Sequence, residues 1–240
     1  MTTLRIADEI LRVYPDVLLG IVRVRNIDNT VEHGEIISQL RKEEDNIRQR
    51  FAGVSLNDHP QIAPWREAYR KFGAKPKDYS SSVENLVRRV AKGYVIPHIN
   101  TLVDIYNLIS LRYILPVGGE DLDRIQGDVL LTFAGEAEPA VRLLGEKDER
   151  PPHPGEVIYK DEISAICRRW NWKESERTKL TEKTRNAFLV TEALPPVDRS
   201  LTSTAIEQLA EAIRKHCGGE VTTDLLDAQH TSTVLFSHEP

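Results

Sequence analysis

The segment INTLVDIYNLISLRYILP, residues 99–116, decides the fold. It is apolar on most sides, and a helix of that kind is buried in the middle of a protein rather than laid on its surface. Its polar exceptions, Asp104, Asn107 and Ser110, are three residues apart, which predicts a polar stripe along one face. Buried polar side chains need hydrogen-bond partners, supplied by neighbouring backbone or by a ligand in a cavity. Both readings stay open for this stripe, and bracing of adjacent strands and loops is the commoner of the two.

Upstream of this segment the chain reads as mainly helical. Residues 6–13 and 34–52 predict helices flanking a Val- and Ile-rich strand at 16–27, and Pro64 starts another helix where proline is tolerated. In KDYSSSVENLVRRVAKG, residues 77–93, Ser81 and Glu84 have the spacing of a capping box. Val83, Leu86, Val87 and Val90 then form an apolar stripe that Gly93 ends. Downstream, Pro116 to Asp121 reads as a turn in which Gly118 and Gly119 supply positive φ and a close approach of backbone. Strands are expected at 128–134, 140–145, 155–161, 162–170 and 184–194. A last helix, capped by Thr204 and Glu207, carries Ile206, Leu209, Ala210 and Ile213 up to Gly218-Gly219, and the tail after about 222 is expected to be loose. Helices first, strands second and one closing helix predict an α+β fold. The expectation is a single domain over 1–225, with central helices packed on a mainly antiparallel sheet, and a flexible tail over 226–240.

A chain of 240 residues can bury a sizeable core, and 40% hydrophobic with 29% charged residues is ordinary for a globular protein. It holds no apolar run near the length of a membrane span. Arg5, Asp8, Glu9 and Arg12 break the N-terminal apolar positions in a way a secretory signal does not, so a cytoplasmic protein is expected. A net charge of -5 argues against coating nucleic acid, which rests on neutralising phosphates, but leaves room for a local basic patch. Cys167 and Cys217 stand 50 residues apart and are expected as reduced thiols; the seven histidines have no metal-ligand spacing, so no metal and no cofactor is expected. No GxSxG, GxxxxGK[ST], GxGxxG or HExxH motif is present.

A second stretch carries chemistry: ISAICRRWNWKESERT, residues 163–178. As a strand over 163–172 it would put Cys167, Arg169 and Asn171 on one face and Ile166, Arg168, Trp170 and Trp172 on the other. The arginines and tryptophans suit base stacking or, equally, packing with arginine stems laid over the rings. Glu120, Asp121 and Asp123 gather carboxylates at the expected turn, although capping of a short helix is the commoner role for Asp121.

The chain resembles the B3/B4 family, the editing module of the phenylalanyl-tRNA synthetase β subunit, in free-standing form. The resemblance rests on WREAY at 65–69, FG at 72–73, SSVENLVRR at 81–89, INTLVDIYNLIS at 99–110, LPVGGEDLD at 115–123, PGEV at 154–157 and CRRWNW at 167–172, spanning roughly 60–195. It implies a single B3/B4-like domain that hydrolyses the ester between a wrong amino acid and the tRNA 3′ end. The family's pocket maps onto Val103, Asp104 and Asn107, onto Pro116 to Asp121, and onto a late acidic residue, Glu174 or Glu176. Gly118 stands where the synthetase turn carries a histidine, which removes the support for a tyrosyl substrate. The roles implied are Asn107 with the amides of Gly118 and Gly119 on the ester or oxyanion, and Glu120, Asp121 or Glu174 on water or a cationic side chain. Arg168, Arg169 and Trp170 would hold the terminal adenosine, while Asp104, Tyr106, Ser110, Cys167 and Asn171 complete the substrate site. The implied partner is the aminoacylated 3′ end of tRNA, with no membrane and a monomer favoured. Free-standing relatives suggest a non-protein amino acid such as canavanine on tRNA-Arg as substrate. The alternative is a tRNA-binding or amino-acid-binding module without catalysis.

Overall fold

The computed structural model describes residues 1–236. In chain order its elements are β1 (Thr2–Ile6), α1 (Asp8–Val13), β2 (Leu18–Arg25), α2 (Gly34–Arg50), α3 (Ala63–Lys71), α4 (Ser82–Ala91) and α5 (Thr101–Tyr113). Then come β3 (Val117–Asp121), a 3-10 turn (Leu122–Arg124), β4 (Val129–Phe133), β5 (Val141–Arg142), β6 (Glu149–Arg150) and β7 (Val157–Lys160). The chain closes with β8 (Ala165–Arg168), β9 (Lys173–Glu174), β10 (Ala187–Ala193), α6 (Arg199–Cys217), β11 (Glu220–Leu226) and β12 (Ser232–Phe236).

Helix α5 is the centre, as its apolar sequence requires. It packs against α2, α4, α6 and β3. Its start is fixed by side chains: Asn100 Oδ1 accepts the Val103 amide at 3.1 Å, and buried Asn29 accepts the Leu102 amide at 2.8 Å. These bonds satisfy amides that a helix N-terminus otherwise leaves orphaned. Its end is unusual, because the left-handed cap position is Ile114 (φ 52°), a β-branched residue where glycine is normal. Ser110 stabilises that cap by donating to the Leu115 carbonyl at 2.7 Å.

The strands form a six-stranded sheet in the order β12-β1-β4-β7-β8-β9 and a four-stranded sheet in the order β11-β2-β10-β3, with β5 and β6 as a separate pair. Among the described residues only β1 and β4 run parallel, and the other strand pairings are antiparallel. The architecture is therefore α+β with antiparallel-dominated sheets. Helix α6 lies on β2, and Gly20 lets it approach, since a Cβ there would stand 2.3 Å from Ile206 Cγ2. Among the described residues no helix is long and apolar enough to cross a membrane.

Four expectations are corrected. Within the expected turn at 116–121, Val117–Asp121 form β3, because they pair with β10 along their length, and neither Gly118 nor Gly119 has positive φ. Helix α6 begins before Thr204, where Asp198 accepts the Leu201 amide at 2.9 Å. The expected loose tail is sheet up to residue 236: β11 adds to β2 and β12 to β1, while 237–240 lie outside the described residues. The long strand expected over 162–170 stops at Arg168, because Arg169 (φ 46°) and Trp170 (φ 65°) turn the chain. That double left-handed turn sends the Trp170 ring into the core, edge-on to Tyr14 at 4.8 Å and to Trp65 at 5.1 Å between centroids.

Candidate functional site

Between α4, α5 and the facing edges of the two sheets lies a cavity of about 360 Å³, within the usual range of a small-ligand pocket. Helix α5 contributes Tyr106, Asn107 and Ser110; β3 contributes Gly118, Gly119 and Glu120; the β8–β9 hairpin contributes Cys167, Asn171 and Glu174; β10 contributes Glu192. Two segments far apart in sequence thus meet because α5 runs directly into β3 and β10 pairs with β3. A broader groove adjoins the cavity and shares Tyr106, Leu144 and Glu174 with it.

Three carboxylates face this space. Glu120 is 5% exposed, and its Oε2 has no hydrogen-bond partner among the described residues. Burial, then the neighbouring Glu174 charge, holds its pKa well above the carboxylate range. Glu174 lies against β3, where its Oε1 accepts the Gly119 amide at 3.4 Å. Gly118 makes that possible, since a Cβ there would fall 2.8 Å from the same oxygen. Burial raises Glu174 to about 7, the Gly119 N–H pulling in the other direction. Glu192 is also lifted by burial to about 7, but both its oxygens are used: Tyr159 Oη donates at 2.6 Å and Asn171 Nδ2 at 2.6 Å. Asn171 Oδ1 accepts from Tyr69 Oη at 3.0 Å, so Glu192 heads a satisfied buried network that shapes the wall.

Asn107 is half-buried on the cavity wall, and its side chain makes no hydrogen bond within the described residues. Tyr106 and Cys167 border the cavity with pKa values pushed up by burial, so both stay neutral in the ordinary pH range. Ser110 is on the wall but committed to the Leu115 carbonyl.

Of the remaining site residues expected from the sequence, Trp170 borders the cavity and the others lie elsewhere. Each three-residue step along a helix rotates the side chain back by about 60°, so the stripe drifts and Asp104 leaves the cavity. Its Oδ2 pairs with His98 Nδ1 at 2.5 Å instead. Asp121 caps the 3-10 turn by accepting the Asp123 amide at 3.0 Å and takes the Thr184 hydroxyl at 2.7 Å. Arg168, 3% exposed, makes a two-pronged bond to buried Glu156 at 2.7 and 3.0 Å. The Arg169 guanidinium sits 3.7 Å from the Tyr79 ring centre and 4.6 Å from that of Trp172. Trp170 is fully buried and borders the cavity from the core, while Trp172 is half-buried on the cavity wall. Glu176 is paired with Lys179, which leaves Glu174 as the late acidic residue on the cavity. Glu192 and Tyr159 escaped the sequence reading. The available signal for Glu192 was an acid inside the otherwise apolar strand AFLVTEA. No group of three or more His, Cys, Asp and Glu side chains among the described residues is placed to hold a metal ion.

A comparison with curated proteins returned no match. Among solved structures, an N-terminal fragment of the phenylalanyl-tRNA synthetase β-subunit from Pyrococcus horikoshii is similar, with 12% identity and a TM-score of 0.47 over 92% of this chain. The chain spans 50% of that fragment. A family model described as the B3/4 domain matches residues 64–218, from α3 to the end of α6. That match covers well over half of the sequence and includes every residue of the cavity, and the chain belongs to the B3/4 domain family.

Proposed function

We propose that this protein is a deacylase, hydrolysing the ester between a wrongly attached cationic amino acid and the 3′ end of its tRNA. A non-protein amino acid such as canavanine on tRNA-Arg fits that description. The observation that carries the reading is the unpartnered Glu120 oxygen, buried beside Glu174 in a cavity of amino-acid size. Unpaired at Oε2, Glu120 favours its neutral form, and a cationic ligand group supplies the partner that makes its carboxylate form favourable.

In this reading Glu120 receives the cationic end of the side chain and Glu174 orients the attacking water. The Asn107 amide, free of protein partners, steadies the ester carbonyl and the oxyanion that forms from it. In this reading the Gly119 amide, which donates to Glu174 at 3.4 Å, holds that carboxylate in place. An activated ester needs little more than such positioning, so a protein nucleophile is not required.

Replacing Asn107 by alanine should slow deacylation about 10²-fold by removing one oxyanion donor. Release of labelled amino acid from mischarged tRNA, measured for both proteins, is the check. Equal rates would take Asn107 out of the mechanism.

A further inference from the structure

The loop after α4, residues 92–100, exposes three large apolar side chains: Tyr94 (37%), Val95 (53%) and Ile99 (51%). The fold holds it firmly from beneath. Glu44 on α2, 1% exposed, accepts the Ile96 amide at 2.8 Å and is itself paired with Arg41 and Arg48. Arg41 also donates to the Ile96 carbonyl, and Arg48 to the Tyr94 carbonyl at 3.5 Å. Isolated surface apolar residues are ordinary, but three of them on one anchored loop mark a surface built to meet something.

The position and charge of this loop indicate what it meets. Arg89, at the C-terminal end of α4, lines the mouth of the cavity, and its guanidinium stacks 3.7 Å from the Tyr94 ring centre. Ile99, at the other end of the loop, lines the adjoining groove. Arg89 forms no ion pair among the described residues, although its neighbour Arg88 does and the chain as a whole carries -5. An aromatic ring with a planar cation stacked on it suits a ligand that combines a flat π face with negative charge.

We infer that Tyr94 and Arg89 form the stacking platform for the terminal adenine of tRNA. The inference rests on the hydrolase reading above. An ester seated against Asn107 and Glu174 leaves its own nucleoside at the cavity mouth, which is where Arg89 stands. Arg168 and Trp170 are buried, so the adenosine contact expected of them falls to this loop.

The test uses the full chain and two fluorescently labelled acceptor-stem minihelices, one ending in CCA and one lacking the terminal adenosine. Wild type should bind the first about tenfold or more tightly, as loss of one base stack predicts. Tyr94→Ala and Arg89→Gln should lose that preference and Tyr94→Phe should keep it, with circular dichroism confirming that each variant is folded. The inference is overturned if wild type binds both minihelices equally, or if Tyr94→Ala still prefers CCA. Binding of neither also overturns it and leaves the patch to a protein partner. Deacylation of charged tRNA by wild type separates the two readings. Hydrolysis without a CCA preference sinks the platform alone, and a CCA preference without hydrolysis sinks the hydrolase alone.

Discussion

Glu120→Gln is expected to slow deacylation of a tRNA carrying a cationic amino acid by about 10²-fold, the usual scale for removing one member of a buried charge pair. The residual activity toward neutral amino acids should change far less, because glutamine preserves the shape of the wall. The same substitution should stabilise the protein at about pH 8. Glu120 has a folded-state pKa raised above the ordinary 4.5 by burial and by Glu174. Its contribution to stability is therefore fully present below 4.5 and is lost as the pH rises through the folded value. Glutamine carries no such loss, so the variant should be more stable than wild type at the higher pH. Below about pH 4.5 the gain should vanish. Urea titrations at the two pH values, alongside rates on cationic and neutral substrates, measure both effects. Unchanged discrimination would remove Glu120 from side-chain recognition.

Glu174→Gln should cost more in rate, about 10²–10⁴-fold in kcat, if its carboxylate takes the proton from water. The pH dependence fixes its role. Raised by burial to about 7, Glu174 is protonated below that value and a carboxylate above it. After subtraction of spontaneous hydrolysis, the wild-type rate should rise with pH through about 7 and level off. Glu120 lies close enough for the two carboxylates to titrate as a unit, so the observed midpoint belongs to the pair. In Glu174→Gln the rise should disappear. A variant that keeps the wild-type profile at reduced amplitude would show that another group supplies the base.

The parts of the fold legible in the sequence were those fixed by local chemistry. Ser81 accepts the Glu84 amide at 3.3 Å, as its spacing indicated, although the Glu84 carboxylate turns to Arg66 and Arg88 instead of completing the box. The all-round apolarity of α5 marked it as central, and Asn107, Gly118, Gly119, Glu120 and Glu174 do come together around one cavity. What stayed hidden depends on contacts distant in sequence. Strand β12 gains its place only by pairing with β1 at the other end of the chain, and neither segment advertises that partner. Glycine or asparagine usually announces left-handed backbone, so two such residues at Arg169 and Trp170 gave no warning. Asp104 shows the limit of counting in threes, since the drift of that spacing carried it from the cavity to His98.

The most direct measurement is hydrolysis of a panel of charged tRNAs by the wild-type protein. It should include canavanine, arginine and lysine as cationic amino acids, alanine and valine as small neutral ones, and phenylalanine and tyrosine as aromatic ones. The buried, unpartnered Glu120 oxygen predicts that a cationic member is cleared at least about tenfold faster than any neutral or aromatic one. No rate above spontaneous hydrolysis for any member, or fastest clearance of an aromatic one, would contradict it.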